Sequence, residues 1–268
     1  AGFARDEMRP AMSGALLAPW PNRVRDGGYA FGGETHQLVM NEAETGTASH
    51  GLIAWLSFDA VEHTGSRVVL QALSAAQPGY PWHLRVTVSY ALDEEGLHHT
   101  LTVRNDSATP APIGLGAHPY LVAGVPRECA ADDWTLTLPA SRILLTDDRL
   151  LPTLLVPVDD PRAGERDFRV GRRIGATTVN HAFTDFDERP GGWAWGRLVD
   201  ADGTGVEMTW DAPWAQVYTA DQPSGPSHRH AVAVEPMTCP PDALRSGSDL
   251  RELRPGQETA LRWTLAAV

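Results

Sequence analysis

Apolar and polar residues alternate with a period of two through much of this chain, a rhythm that suits strands and not amphipathic helices. In "HLRVTVSYAL", Leu84, Val86, Val88 and Tyr90 fall on one side, and Arg85, Thr87 and Ser89 on the other. The stretches "GLHHTLTVRN", "WTLTLPAS", "WAQVYTA" and "ALRWTLAAV" read the same way. "WGRLVDADGTGVEMTW" reads as two strands joined at Asp202-Gly203-Thr204-Gly205, a hairpin turn by composition. No long segment carries a 3.6-residue period, and "PDALRSG" predicts one turn of helix. The 21 prolines and 25 glycines are spread along the chain as turn punctuation, with no linker, short repeat or low-complexity tract. The expectation is an all-β sandwich or barrel, organised as one domain over residues 1–268.

Charge narrows the partners. With 22 Lys+Arg against 34 Asp+Glu the net charge is −12, and the basic residues are scattered apart from short clusters such as Gly171-Arg172-Arg173. That balance argues against nucleic acid or an anionic membrane. Cys129 and Cys239 make no disulfide framework, so a reducing cytoplasm is expected. No apolar run is long enough to cross a bilayer, and no signal-peptide pattern is present. The sequence opens on Ala1 without a methionine, which leaves processing or an N-terminal truncation open.

Several familiar motifs fail on inspection. "GLGAHP" starts like a dinucleotide loop but puts proline where the third glycine belongs, with no helix after it. "DADGTGVEMTWD" lacks the closing Glu of a calcium loop. His228 and His230 could share a strand face as metal ligands, but no third ligand is near in sequence, and an exposed loop is the commoner arrangement. No nucleophile elbow is present, and neither cysteine lies in a nucleophile motif.

Four stretches remain, each with a polar side chain in a setting too apolar or too rigid for a plain surface loop. They place Arg23 in "LLAPWPNRVRDG", His50 beside Gly51 in "TGTASHGL", His118 before a proline in "PIGLGAHPYL", and Glu235 at the end of "HAVAVEP". Singly, each has a dull explanation: a turn cap, a loop histidine, a satisfied core histidine, or a structural ion pair between Glu235 and Arg23. Together they are a kit for acid–base work on a polyol, with one imidazole, one carboxylate and further groups to hold hydroxyls. Among the nine tryptophans, Trp20 and Trp214, each beside a proline and near these positions, are the best placed to stack on a sugar face.

At these residues the sequence resembles the aldose 1-epimerase (galactose mutarotase) family. The resemblance is carried by Asn22-Arg23, His50-Gly51, His118-Pro119-Tyr120, the segment Asn180 to Phe183, Gln216-Val217-Tyr218, and Glu235 followed by Pro241-Asp242-Ala243. It implies a large antiparallel β-sandwich with a sugar pocket on a concave sheet, and interconversion of the α and β anomers of an aldohexose such as glucose or galactose. It implies that Glu235 takes the proton of the anomeric hydroxyl and His118 protonates the ring oxygen. Arg23, His50, Asn180, Gln216, Tyr218 and Trp20 then bind substrate, with no metal and no organic cofactor, in a monomer or homodimer. The family's usual strands ahead of the arginine motif look partly missing.

Ring opening needs Glu235 ionised and His118 protonated, and their opposite charges should favour both forms unless burial of the imidazole wins. The pair is expected to face one another across a gap wide enough for one pyranose. Asn180 stands where many family members carry aspartate, which removes a charge that could orient Arg23. Asp185 is a candidate to compensate. Three alternatives follow. One is a hexose-6-phosphate 1-epimerase, if Arg23 and Arg25 grip a phosphate. Another is a carbohydrate-binding module without chemistry. The last is a glycoside hydrolase, with Asp185 or Asp211 as second carboxylate.

Overall fold

The computed structural model describes residues 8–221 and 225–268. Two antiparallel sheets account for most of its strands. The first runs, edge to edge, through Ala15–Leu17, Gly116–His118, Val232–Met237, Trp214–Tyr218, Asn180–Phe186, Ala140–Thr146 and Pro152–Pro157, with Tyr120–Leu121 also paired to Val232–Met237. The second has nine strands in the order Arg172–Arg173, Thr135–Thr137, Ala194–Val199, Gly205–Trp210, Glu258–Ala267, Gly96–Asn105, Leu84–Asp93, Arg67–Ser74 and Asp59–His63. Each stretch chosen for its alternation contributes a strand. The turn at 202–205 joins Ala194–Val199 to Gly205–Trp210 in register, and "PDALRSG" supplies the short helix Ala243–Ser246.

Alternation becomes a core because both sheets turn their apolar sides to one another. Val86, Val88, Leu101, Val103, Met208 and Leu261 of the second sheet share one buried cluster with Ile143, Phe183, Val217, Val232 and Val234 of the first. The opposite face of the first sheet is therefore set by the intervening residues. There Met237, Trp214, Ala182 and Leu144 form a separate small cluster. Two short ribbons follow the edge strand Ala15–Leu17 in sequence, Arg23–Arg25 paired with Thr47–Ser49, and Gly28–Phe31 paired with Glu34–Gln37. No helix among the described residues is long and apolar enough to cross a membrane.

Glycine permits two close approaches on which the ribbon's placement depends. Gly51 has φ +73°, and a Cβ there would lie 2.1 Å from the carbonyl oxygen of Ala18. That oxygen accepts the Leu52 N–H at 2.7 Å. The glycine beside His50 thus serves a backbone crossing within the chain. In "GLGAHP", a Cβ on Gly116 would lie 2.8 Å from Cβ of Pro21. The glycines of this segment make room for the proline turn that leads into Arg23.

Candidate functional site

Strand register builds the floor of the site. Val232 and Val234 point into the core, so Ala233, Glu235 and Met237 point to the other face. Gln216 is directly opposite Glu235, and Asn180 directly opposite Tyr218, which brings four polar side chains to that face. Gly116 pairs with Met237, so His118, two residues on, shares the face as well. Pro119 interrupts the ladder after His118, and Tyr120–Leu121 rejoins Val232–Met237 beyond it. The walls come from the ribbon carrying Arg23, from His50 in a left-handed conformation (φ 64°), and from Ala11 and Met12. Together these enclose a cavity of about 320 Å³ lined also by Asn22, Glu42 and Tyr120, at the small end of ligand clefts.

At its base His118 Nε2 lies 3.3 Å from Glu235 Oε1, and both side chains are almost wholly buried. The two groups are side by side, not separated by the width of a sugar ring. His50 meets the edge of His118, with ring centroids 5.4 Å apart, and Tyr120 stacks on its other side at 5.1 Å. Asn180 Oδ1 accepts a 2.7 Å hydrogen bond from the Gln216 amide. Arg23 is engaged by Glu42, to which its Nε and Nη2 donate at 2.6 and 2.7 Å.

Burial governs the protonation of this cluster. Glu235 is pushed up to about 8 by desolvation, with Arg23 pulling weakly the other way. Desolvation brings His118 down to about 4, and the Arg23 charge adds to the fall. His50 is driven well below the usual imidazole range, again by burial, then by His118 and Arg23. Burial thus outweighs the mutual attraction expected between carboxylate and imidazolium, and the resting pair is a carboxylic acid beside a neutral imidazole. Four buried polar atoms around the cavity have no hydrogen-bond partner among the described residues: Glu235 Oε2, His118 Nδ1, His50 Nδ1 and Gln216 Oε1. Buried polar atoms are almost always satisfied, so this cluster marks the cavity as a place for polar groups.

Glu235, His118, Arg23, His50, Asn180, Gln216 and Tyr218 all line this one cavity. Trp20 does not. It is buried in the core cluster and its indole N–H donates to the Ala48 carbonyl, so no ring face is left for a sugar. Trp214 likewise packs against Met237 and donates to Asp249. Asp185 is exposed in a left-handed turn conformation and does not line the cavity, and Glu42 supplies the charge on Arg23 instead. Asp211 is engaged by Arg262 on the second sheet's side. Arg25 approaches Asp147 and Asp242 at 3.8 and 4.0 Å and is not among the lining residues. His228 and His230 bond to backbone carbonyls, and no group of three metal-ligating side chains is present among the described residues. Cys239 is buried beneath the glutamate strand, and its thiol is pushed up to about 12 by burial, then by Asp249. Glu42 is the residue that sequence reasoning missed, since one carboxylate among 34 acidic residues carries no local signal.

A family model described as "Aldose 1-epimerase" matches residues 3–266. The Escherichia coli (strain K12) uncharacterized protein YihR is 34% identical over 253 residues, covering 94% of this chain and 78% of that protein. Mouse galactose mutarotase is 26% identical over 167 residues, covering 59% of this chain and 47% of its own length. Among solved structures, the GalM/aldose epimerase homologue from C. elegans superimposes with TM-score 0.84 at 17% identity, covering 97% and 83% of the two chains. The galactose 1-epimerase from Lactobacillus acidophilus superimposes with TM-score 0.76 at 21% identity, covering 97% and 81%.

Proposed function

The chain belongs to the aldose 1-epimerase family, and from that premise we propose that it interconverts the α and β anomers of an aldohexose, with Glu235 and His118 as the proton-transferring pair. The observation that carries this reading is their 3.3 Å contact at the base of a cavity otherwise lined mostly by polar side chains. The anomeric hydroxyl oxygen and the ring oxygen are bonded to the same carbon. An acid and a base acting on both must therefore be neighbours, and a gap as wide as a pyranose would reach only one of them.

The proton count is consistent with the chemistry. A carboxylic acid beside a neutral imidazole and a carboxylate beside an imidazolium hold the same number of protons and interconvert by transfer along the Oε1–Nε2 contact. The ionised form is the working one. Glu235 accepts the proton of the anomeric hydroxyl as the C1–O bond to the ring oxygen breaks, and His118 delivers a proton to that oxygen. The product is the open-chain aldehyde. Rotation about the bond between C1 and C2 presents the other face, and the reverse transfers close the ring as the other anomer. Sugar hydroxyls that donate to Glu235 Oε2 stabilise the carboxylate on binding, which shifts the pair toward its working form. His50, held neutral by burial, and the Asn180–Gln216 amide pair offer donors and acceptors to the remaining hydroxyls.

A phosphorylated hexose draws less support. Among the described residues Arg23 is the one guanidinium lining the cavity, and its charge is matched by Glu42. The deciding experiment is anomer exchange of freshly dissolved α-glucose and α-galactose, followed by polarimetry or NMR. Acceleration that disappears in Glu235→Gln supports the proposal. Sugar binding without acceleration would instead identify a carbohydrate-binding module.

A further inference from the structure

Among the described residues the cavity wall holds one carboxylate besides Glu235, Glu42, and it is anchored from several sides. Arg23 donates to both of its oxygens. Thr45 and Thr47 hydroxyls donate to Oε2 at 2.7 and 2.9 Å, and the Glu42 main chain is bridged to that of Thr47. The 42–47 loop is tied down in turn by Arg149, whose Nε and Nη2 donate to the carbonyls of Thr45 and Gly46. Four donors on one partly exposed carboxylate exceed what a surface ion pair needs. The fork also leaves Nη1 of Arg23 without a protein partner among the described residues.

We propose that Glu42 is a positioning residue for catalysis, holding the Arg23 guanidinium in one pose with Nη1 toward the substrate and balancing its charge beside Glu235 and His118. The inference rests on the reading of this cavity as the sugar site.

The charge argument follows from what faces Arg23. Lining the same cavity are Glu235, His118, Tyr120 and Tyr218 from the sheet and His50 from the ribbon's own end. Asp242, from the turn before the short helix, meets the ribbon's main chain, its N–H donating to Arg23 O and its side-chain Oδ1 accepting from the Arg25 N–H. Arg25 itself faces Asp147 and Asp242. Glu42 is therefore the side chain in ion-pair contact with Arg23. Burial raises its carboxyl affinity for protons, but the Arg23 hydrogen bonds and charge override this, so Glu42 stays ionised. The Arg23 charge reaches Glu235, His118 and His50 alike. Left unbalanced, it would favour proton loss from both Glu235 and His118 and displace the working window of the pair toward acid.

The test is Glu42→Gln, with two readouts. In the sugar-free protein, NMR titration of Glu235 and His118 should move both groups to lower pH by about half a pH unit or more. In anomer exchange, kcat should fall about tenfold through the loosened guanidinium, with both limbs of the pH profile moved toward acid. Unmoved titrations in a variant with the parent circular dichroism and melting temperature would overturn the proposal. Should Glu42→Gln not fold, Glu42→Asp keeps the charge but draws it back by one methylene. It should change kcat or KM by several-fold with the limbs in place, and parent values for both constants would overturn the proposal. Because the titrations need no turnover, a parent chain that binds sugar without exchanging anomers defeats the mutarotase reading, while the Glu42→Gln titrations still decide whether Glu42 balances Arg23 beside the pair.

Discussion

Glu235 and His118 share one 3.3 Å contact and, over a wide pH range, one proton. With His118 lowered to about 4 and Glu235 raised to about 8, the pair loses one proton near each value and holds a constant count between them. We therefore expect kcat/KM for anomer exchange to be bell-shaped, rising near pH 4 and falling near pH 8, limbs that belong to the pair and not to single residues. Glu235→Gln and His118→Asn should each lower kcat by about 10²–10⁴-fold and leave a one-sided profile. Near-parent rates in either variant would end the assignment. The same burial carries a stability cost. A carboxyl whose affinity for protons is raised by folding contributes stability below its unfolded value of 4.5 that is lost as pH rises through about 8. Glu235→Gln should thus gain on the parent between those values, by a few kcal/mol near pH 8, measured as urea denaturation at several pH values. A gain independent of pH would contradict the assigned cause. Glu235, His118, Arg23 and His50 were legible in the sequence because each is a polar group in a rigid apolar context. Trp20 shared that context and was misleading, since proline-flanked tryptophan suits a core corner as well as a sugar face. The protonation of the pair was not legible either, because it depends on burial that only the assembled sheet provides.

At the scale of elements, period two was the informative signal, and it carried further than fold class. The alternation in "AVAVEP" assigns Val232 and Val234 to one side and Glu235 to the other, and the structure puts those valines in the core and the glutamate in the cavity. The irregular elements were less legible, because their conformations answer to neighbours remote in sequence. Gly51 illustrates this: its role is set by the Ala18 carbonyl, whose position no local pattern reveals. Gly51→Ala would put a Cβ at φ +73° and 2.1 Å from that oxygen. It should cost on the order of 1–3 kcal/mol for the backbone conformation, with more from the clash. Since His50 precedes it and its N–H donates to the Asn22 carbonyl at 2.9 Å, the displacement should also reach the cavity. The expected signature is a lower melting temperature together with a raised KM. A lower melting temperature at unchanged KM would show that the turn supports the fold without positioning His50.

Across the whole molecule, what the sequence leaves hidden is the order of strands. Nothing local says that Ala15–Leu17 pairs with Gly116–His118, or that the latter pairs with Val232–Met237, yet these pairings bring His118 to Glu235. Such contacts between distant segments also mean that the site exists only when the first sheet is assembled. Stability and catalysis should therefore be separable by where a substitution falls. Leu261, at the centre of the second sheet, is fully buried against the shared core and does not line the cavity. Leu261→Ala should destabilise by about 2–5 kcal/mol through lost burial and the cavity left behind. Below its melting transition it should keep the parent kcat and both pH limbs, because the register of Trp214–Tyr218 against Val232–Met237 is set on the other sheet. Activity and near-ultraviolet circular dichroism, followed through the same thermal ramp, should be lost together at a lowered midpoint. A loss of kcat in the still-folded variant would mean that the second sheet shapes the geometry of the pair directly, and that the two faces of the sandwich are more tightly coupled than their separate clusters indicate.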